Sequence, residues 1–248
     1  IKAAGTLKKV TLECGGKSAN IVLNDANWDI AIDGSIFAAF YHQGQVCESG
    51  TRLLLPKDQH DDFVAQMVAK LNAMPMGAPL DPATKVGPVM SEGHMKTVLD
   101  YIEKGKAEGA TLACGGERAT DGELANGYFI QPTVFTNVTN DMTIAQEEIF
   151  GPVLCVMKYE DEDEAVKIAN DSIFGLGGGV WSEDIDRARK VAGGMRTGTV
   201  WINDWHLLSE RMPFGGYKQS GIGREFGEEG MNEYTEVKAL HVDDAKTR

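Results

Sequence analysis

Apolar positions along this chain recur with two alternating periods. Short consecutive or alternating apolar runs read as strands at residues 10–13, 20–23, 52–55, 111–114, 132–135, 153–158, 179–182, 199–203 and 235–242, the third ended by Pro56. Between them lie stretches whose apolar residues fall three and four apart, as on one face of a helix. Residues 28–42 carry Ile30, Ile32, Ile36, Phe37 and Phe40, and residues 60–71 carry Phe63, Met67, Val68 and Leu71. Residues 91–108, 161–169 and 185–192 read the same way, whereas 115–128 and 205–223 are glycine-rich and irregular. Strands alternating with helices predict an α/β fold: a mostly parallel twisted sheet flanked by helices.

Composition adds three constraints. Glycine is abundant, 29 of 248 residues, and much of it is paired, as in Gly15-Gly16 and Gly177-Gly178-Gly179. Paired glycines point to close backbone approach rather than to a flexible linker. The net charge of −13 repels phosphate backbones and anionic membrane surfaces, so neither nucleic acid nor membrane is an expected partner. The four cysteines form no Cys-x-x-Cys and no metal-ligand spacing, which points to a reducing, cytoplasmic compartment and no metal site. The chain opens on Ile1 and a helix-like Lys-Ala-Ala-Gly, and is expected to be an excised segment.

Two residues stand out chemically. Cys47 follows Gln43-Gly-Gln-Val at the end of the 28–42 helix, where a turn after Gly44 would present a thiol to a pocket. Glu13, in Leu12-Glu-Cys-Gly-Gly-Lys17, lies between an apolar strand and a glycine pair, where partial burial would raise its basicity. A thiol attacks carbonyl carbon as its thiolate and needs a base or a positive field nearby. Read alone, Cys47 is first a buried structural cysteine and Glu13 first a strand-end surface carboxylate, and only their context turns them into a nucleophile and a base. No Gly-x-Ser-x-Gly elbow competes with them, and the run Gly175-Leu-Gly-Gly-Gly-Val180 reads as a tightly packed strand rather than a phosphate turn.

Five ordered motifs together resemble the aldehyde dehydrogenase superfamily. They are the Glu13 and Cys47 segments, Glu147-Glu-Ile-Phe-Gly-Pro-Val153, Gly198-Thr-Val-Trp-Ile-Asn203 and Pro213-Phe-Gly-Gly-Tyr-Lys-Gln-Ser-Gly-Ile-Gly-Arg-Glu225, with one departure, Cys14 where the family has leucine. The resemblance runs from about Ala3 to Val242 and covers only the family's carboxy-terminal half. It implies a lead-in segment at 1–13, a catalytic domain at 14–225, and a carboxy-terminal segment at 226–248 whose strand, at 236–243, joins subunits into a homo-oligomer.

It further implies that Cys47 attacks an aldehyde to form a thiohemiacetal and then a thioester, and that Glu13 activates water to release the carboxylate. Glu148 and Phe150 would meet the nicotinamide end of NAD or NADP. The half that holds most of the cofactor is missing, so the isolated chain is expected to bind none. Asp204, Trp205, His206 and Leu208 would line the aldehyde tunnel, with Trp205 as a cation–π partner for a cationic aldehyde or simply as wall. Two other readings stay open: a cofactor-independent esterase or thioesterase using Cys47 and Glu13, and a non-catalytic partner of full-length subunits joined through residues 235–242.

Overall fold

The computed structural model describes residues 1–243. Among these described residues nine strands occur in chain order: β1 (Leu12–Glu13), β2 (Ala19–Val22), β3 (Arg52–Pro56), β4 (Thr111–Cys114), β5 (Thr133–Thr136), β6 (Val153–Tyr159), β7 (Gly177–Trp181), β8 (Thr199–Ile202) and β9 (Gly221–Ile222). Seven α-helices alternate with them: α1 (Trp28–Phe40), α2 (His60–Asn72), α3 (Glu92–Ala107), α4 (Thr143–Gln146), α5 (Glu162–Asn170), α6 (Ile185–Gly194) and α7 (Gly227–Glu233). Seven strands form one sheet in the order β4-β5-β6-β3-β2-β7-β8, parallel throughout except for β4. β1 and β9 make a separate antiparallel pair. The predicted α/β architecture is therefore what the chain adopts.

The period of two along each central strand divides its side chains between two cores. Leu54 of β3 and Cys155 and Met157 of β6 face one, with Met95, Val98 and Ile102 of α3. Leu53, Leu55, Leu154 and Val156 face the other, with Ile32, Ile36 and Phe40 of α1 and Phe63, Met67 and Leu71 of α2. A sheet covered on both faces has strands apolar on both sides. Helix starts are capped by side chains of the expected kind. Asn27, Ser91, Asp161 and Asp184 each accept a backbone N–H from the first turn of the helix that follows.

Several expectations are corrected. The face of α1 is rotated: Ile30 and Phe37 are exposed, while Ala31, Ser35, Ala38 and Ala39 are buried. Small residues let this helix press against the sheet. Helices α4 and α7 were not anticipated. The predicted strand at 235–242 forms no ladder among the described residues. Val237, Leu240 and Val242 instead stand in solvent, because an extended segment becomes a strand only when another pairs with it.

Arg52 stitches the middle of the sheet. It is 1% exposed, and its guanidinium donates to the carbonyls of Lys17 (2.9 Å), Ile168 (2.9 Å) and Ala169 (2.8 Å) and to Asn140 Oδ1 (2.9 Å). Arg52→Met would strip the Lys17 and Ala169 carbonyls of their buried donor. It is expected to lower unfolding free energy by about 3 kcal/mol, measured by urea denaturation.

Candidate active site

Three loops converge because each leads into the amino end of one of three neighbouring strands. Residues 13–18 precede β2, 42–51 precede β3 and 147–152 precede β6, and these strands lie side by side in the sheet. The Cys47 loop turns sharply. His42 (φ 53°), Gln43 (φ 59°) and Gly44 (φ 67°) are three successive left-handed residues. Such backbone costs roughly 1–3 kcal/mol at each non-glycine position and persists only where the surroundings impose it.

The imposition comes from close packing between the loops. A Cβ on Gly44 would stand 2.3 Å from the Gly151 carbonyl oxygen, one on Gly16 2.2 Å from the Cys47 carbonyl oxygen, and one on Gly15 2.4 Å from Glu148 Oε2. Glycine alone fits the two backbone contacts, at Gly44 and Gly16, whereas a side chain at Gly15 would displace the Glu148 carboxylate.

Cys47 is half-buried, and its thiol donates to Glu48 Oε2 at 3.4 Å. Burial, then the charge and hydrogen bond of Glu48, then the charge of Glu13, push the thiol up to about 12. The Cys47 N–H finds no acceptor among the described residues, so it is available to an oxyanion. Glu13 is exposed and makes no hydrogen bond to Cys47; the two sense each other as charges. Partial loss of water, followed by the charge of Glu225, holds the Glu13 carboxyl above its ordinary value despite Arg224. An exposed carboxylate with raised basicity has water at hand, which suits a base for hydrolysis better than a base for the thiol.

Glu148 accepts the Gly16 N–H at 3.0 Å. Burial raises its carboxyl, and the Gly16 hydrogen bond and the Lys17 charge oppose that rise. Phe150 has a left-handed backbone (φ 57°); its carbonyl accepts from His94 Nε2 at 2.6 Å, and its ring meets the His94 ring edge-on at 6.1 Å. Since a carbonyl only accepts, Nε2 carries the proton.

The loop after β8 divides the expected tunnel residues. Asp204 and Leu208 are exposed, and Asp204 Oδ1 accepts the Trp205 N–H at 2.7 Å. Trp205 is the correction. It is 2% exposed, stacked on Trp201 at 5.3 Å, and seated over Gly179 and Gly50, where added Cβ atoms would lie 2.3 Å and 2.9 Å from its ring. Its Nε1–H donates to the Glu48 carbonyl at 3.2 Å. A ring covered on both faces has none left for a cation, so Trp205 is a foundation of the site.

One pair escaped the sequence reading. Glu48 is buried beside Cys47, and His206 Nδ1 lies 3.0 Å from Glu48 Oε1. Glu48 carried a signal, a carboxylate next to the candidate thiol. His206, 158 residues away, carried none beyond its place in the tunnel segment.

The aldehyde dehydrogenase family pattern matches residues 1–240. The chain is 48% identical over 239 residues to the betaine aldehyde dehydrogenase of Bacillus subtilis (strain 168), covering 96% of this chain and 49% of that protein. It is 49% identical over 245 residues to that of Brucella anthropi, covering 99% and 50%. The structure of the NAD+ complex of an aldehyde dehydrogenase from Bacillus cereus superimposes with a TM-score of 0.93 at 46% identity, covering 98% of this chain and 48% of that one. The betaine aldehyde dehydrogenase of Staphylococcus aureus, in complex with NAD+, gives 0.92 at 45%, covering 94% and 46%. The chain thus spans about half the length of the curated relatives it matches.

Proposed function

Because this chain belongs to the aldehyde dehydrogenase family, we propose that it is the catalytic part of an NAD(P)-dependent aldehyde dehydrogenase, with Cys47 as nucleophile and Glu13 as the hydrolytic base. The observation that carries this reading is the convergence of the Cys47, Gly15-Gly16 and Glu148 loops through contacts that admit no Cβ. The Cys47 thiol loses its proton to solvent, Sγ bonds to the aldehyde carbon as the C=O π pair moves onto oxygen, and the Cys47 backbone N–H holds that negative oxygen. Glu148, fixed over Gly15-Gly16, and Phe150 fit the nicotinamide end of the cofactor. When bound, NAD(P)+ supplies the hydride acceptor. Glu13 then takes a proton from water as that water cleaves the Cys47 thioester. The residues described here contact only one end of a dinucleotide, so this chain alone is proposed to hold it weakly.

Asp204 and Leu208, on the exposed loop after β8, are proposed to meet the substrate. The names of the relatives make a trimethylammonio aldehyde the first substrate to try. Residues 235–242, apolar and exposed, are proposed to pair with another subunit of a homo-oligomer. A chimera joining the amino-terminal half of the Bacillus subtilis relative to this chain tests the reading. It should reduce NAD+ in the presence of betaine aldehyde and lose that ability with Cys47→Ala. A cooperatively folded chimera that reduces no cofactor with any aldehyde would contradict it.

A second reading is favoured by the content of the site itself. Thiol, base and backbone donor all lie within this chain, so an activated ester needs no other partner for acyl transfer. Ester turnover should depend on ionised Glu13. Its carboxyl is held above the ordinary value by lost solvation, so the base form is present only at pH above that raised value. Turnover should therefore decline on acidification while the pH is still above about 4.5. Glu13→Gln should slow the steady phase and spare the initial burst, as read by stopped-flow release of the leaving group.

A further inference from the structure

Half-buried Cys47 and the buried side chains of Glu48 and His206 form a hydrogen-bonded chain with a use that the proposed mechanism does not cover. The thiol donates to Glu48 Oε2 at 3.4 Å, and Glu48 Oε1 lies 3.0 Å from His206 Nδ1. The side chains of both Glu48 and His206 are 7% exposed. A carboxylate only accepts, so Nδ1 carries a proton and the histidine fixes the carboxylate from its far side. The imidazole is itself clamped, edge-on to Phe37 at 5.1 Å and tilted against Tyr41 at 5.2 Å. Its Nε2 is buried with no hydrogen-bond partner, so the ring is held by packing and by Glu48 alone.

Two roles are open to a carboxylate placed there: taking the thiol proton, or opposing its loss. Magnitudes choose between them. Burial would raise the Glu48 carboxyl, but the His206 hydrogen bond, its own backbone N–H and the Cys47 thiol outweigh burial and hold it below its ordinary value. The thiol meanwhile stands near 12. The thiol is by far the weaker acid of the hydrogen-bonded pair, so the proton stays on sulfur. Trp205 adds a backbone anchor by donating to the Glu48 carbonyl, which keeps the carboxylate from swinging away.

We propose that Glu48 is a brake on the nucleophile, holding Cys47 as a hydrogen-bonded thiol in the resting chain, and that His206 is the positioning residue that keeps the brake applied. The charged groups facing the sulfur are Glu48 from its own loop and Glu13 from β1, and both oppose thiolate formation. Glu48 is faced by His206 and Glu13. A thiol held in this way resists stray electrophiles and peroxide, which react with thiolate, until a positive group arrives against the sulfur.

The proposal rests on Cys47 being the nucleophile, but its test requires no turnover. The chain is treated with iodoacetamide at about pH 8, and labelling of Cys47 is followed by peptide mass spectrometry against exposed Cys14 in the same molecule. Glu48→Gln keeps the shape and removes the charge; it should raise the Cys47:Cys14 rate ratio by about tenfold or more. His206→Phe, which keeps the ring and loses the donor, should raise it several-fold. His206→Asn, whose amide nitrogen can replace Nδ1, should return it towards the native ratio. A Glu48→Gln ratio equal to or below the native one overturns the proposal. A measurement on native protein guards against a misfolded variant. Thiolate absorbance, taken as the difference from Cys47→Ser, should appear only above about pH 10, and a midpoint near the ordinary thiol value of about 8.5 overturns the proposal equally. Failure of ester or aldehyde turnover with the labelling pattern intact would sink the enzymatic reading and leave the brake standing.

Discussion

Cys47→Ala should abolish cleavage of an activated short-chain ester, lowering the rate by roughly 10³-fold or more. The substitution removes a half-buried sulfur and leaves the loop, Glu13 and Glu48 in place. Any residual rate would come from water attacking directly with only the backbone N–H and Glu13 to assist. The native rate carries its own signature. With the thiol pushed up to about 12, thiolate is scarce near neutrality and its fraction grows about tenfold per pH unit. The initial acylation burst on native protein should therefore quicken steeply into alkaline solution, and the Cys47→Ala variant should lack the burst altogether. Cleavage by the variant at the native rate would show that the reacting group lies elsewhere.

The second large effect concerns stability. Trp205→Ala should cost about 3–5 kcal/mol of unfolding free energy, the usual penalty for emptying a large buried aromatic site. The ring fills the space above Gly179 and Gly50, stacks on Trp201, and donates to the Glu48 carbonyl. Its removal leaves a cavity against Gly179 and Gly50, which have no side chains to close it. Trp205→Phe should recover most of the packing and lose only the Nε1 hydrogen bond. Urea midpoints distinguish this role from that of a tunnel wall. A wall residue would leave the midpoint within error of native and raise the KM for cationic substrates instead.

Trp205 also shows where sequence reading stops. In sequence it is one aromatic residue in an irregular segment, equally fit for a pocket or a core. What decides its place is Gly179, 26 positions earlier, whose bare backbone leaves room for the ring. The same strand was read as starting at residue 179, because glycines at 177 and 178 carry no apolar signal although they pair with β8 and β2. Helices with long periodic faces, such as α2 and α3, were legible because a face repeats over several turns. α4 and α7, of four and seven residues, offer too few repeats to show one. Residues 235–242 have the composition of a strand, yet strand formation is a property of two segments and only one is described here.

For the site, residue types and motif order in the sequence point to Cys47, Glu13 and Glu148. The glycine contacts then supply the reason these segments meet. The Glu48–His206 pair was illegible because its partners lie far apart in sequence and meet only through the return of the chain after β8.

The central claim is that Cys47 carries the acyl group and Glu13 removes it. The most direct test is to mix Glu13→Gln protein with an activated acetyl ester, quench, and locate the acetyl group by peptide mass spectrometry. The account predicts acetyl on the Cys47 peptide, outlasting that on native protein. Acetyl absent from that peptide, or lost from Glu13→Gln as fast as from native, would contradict it.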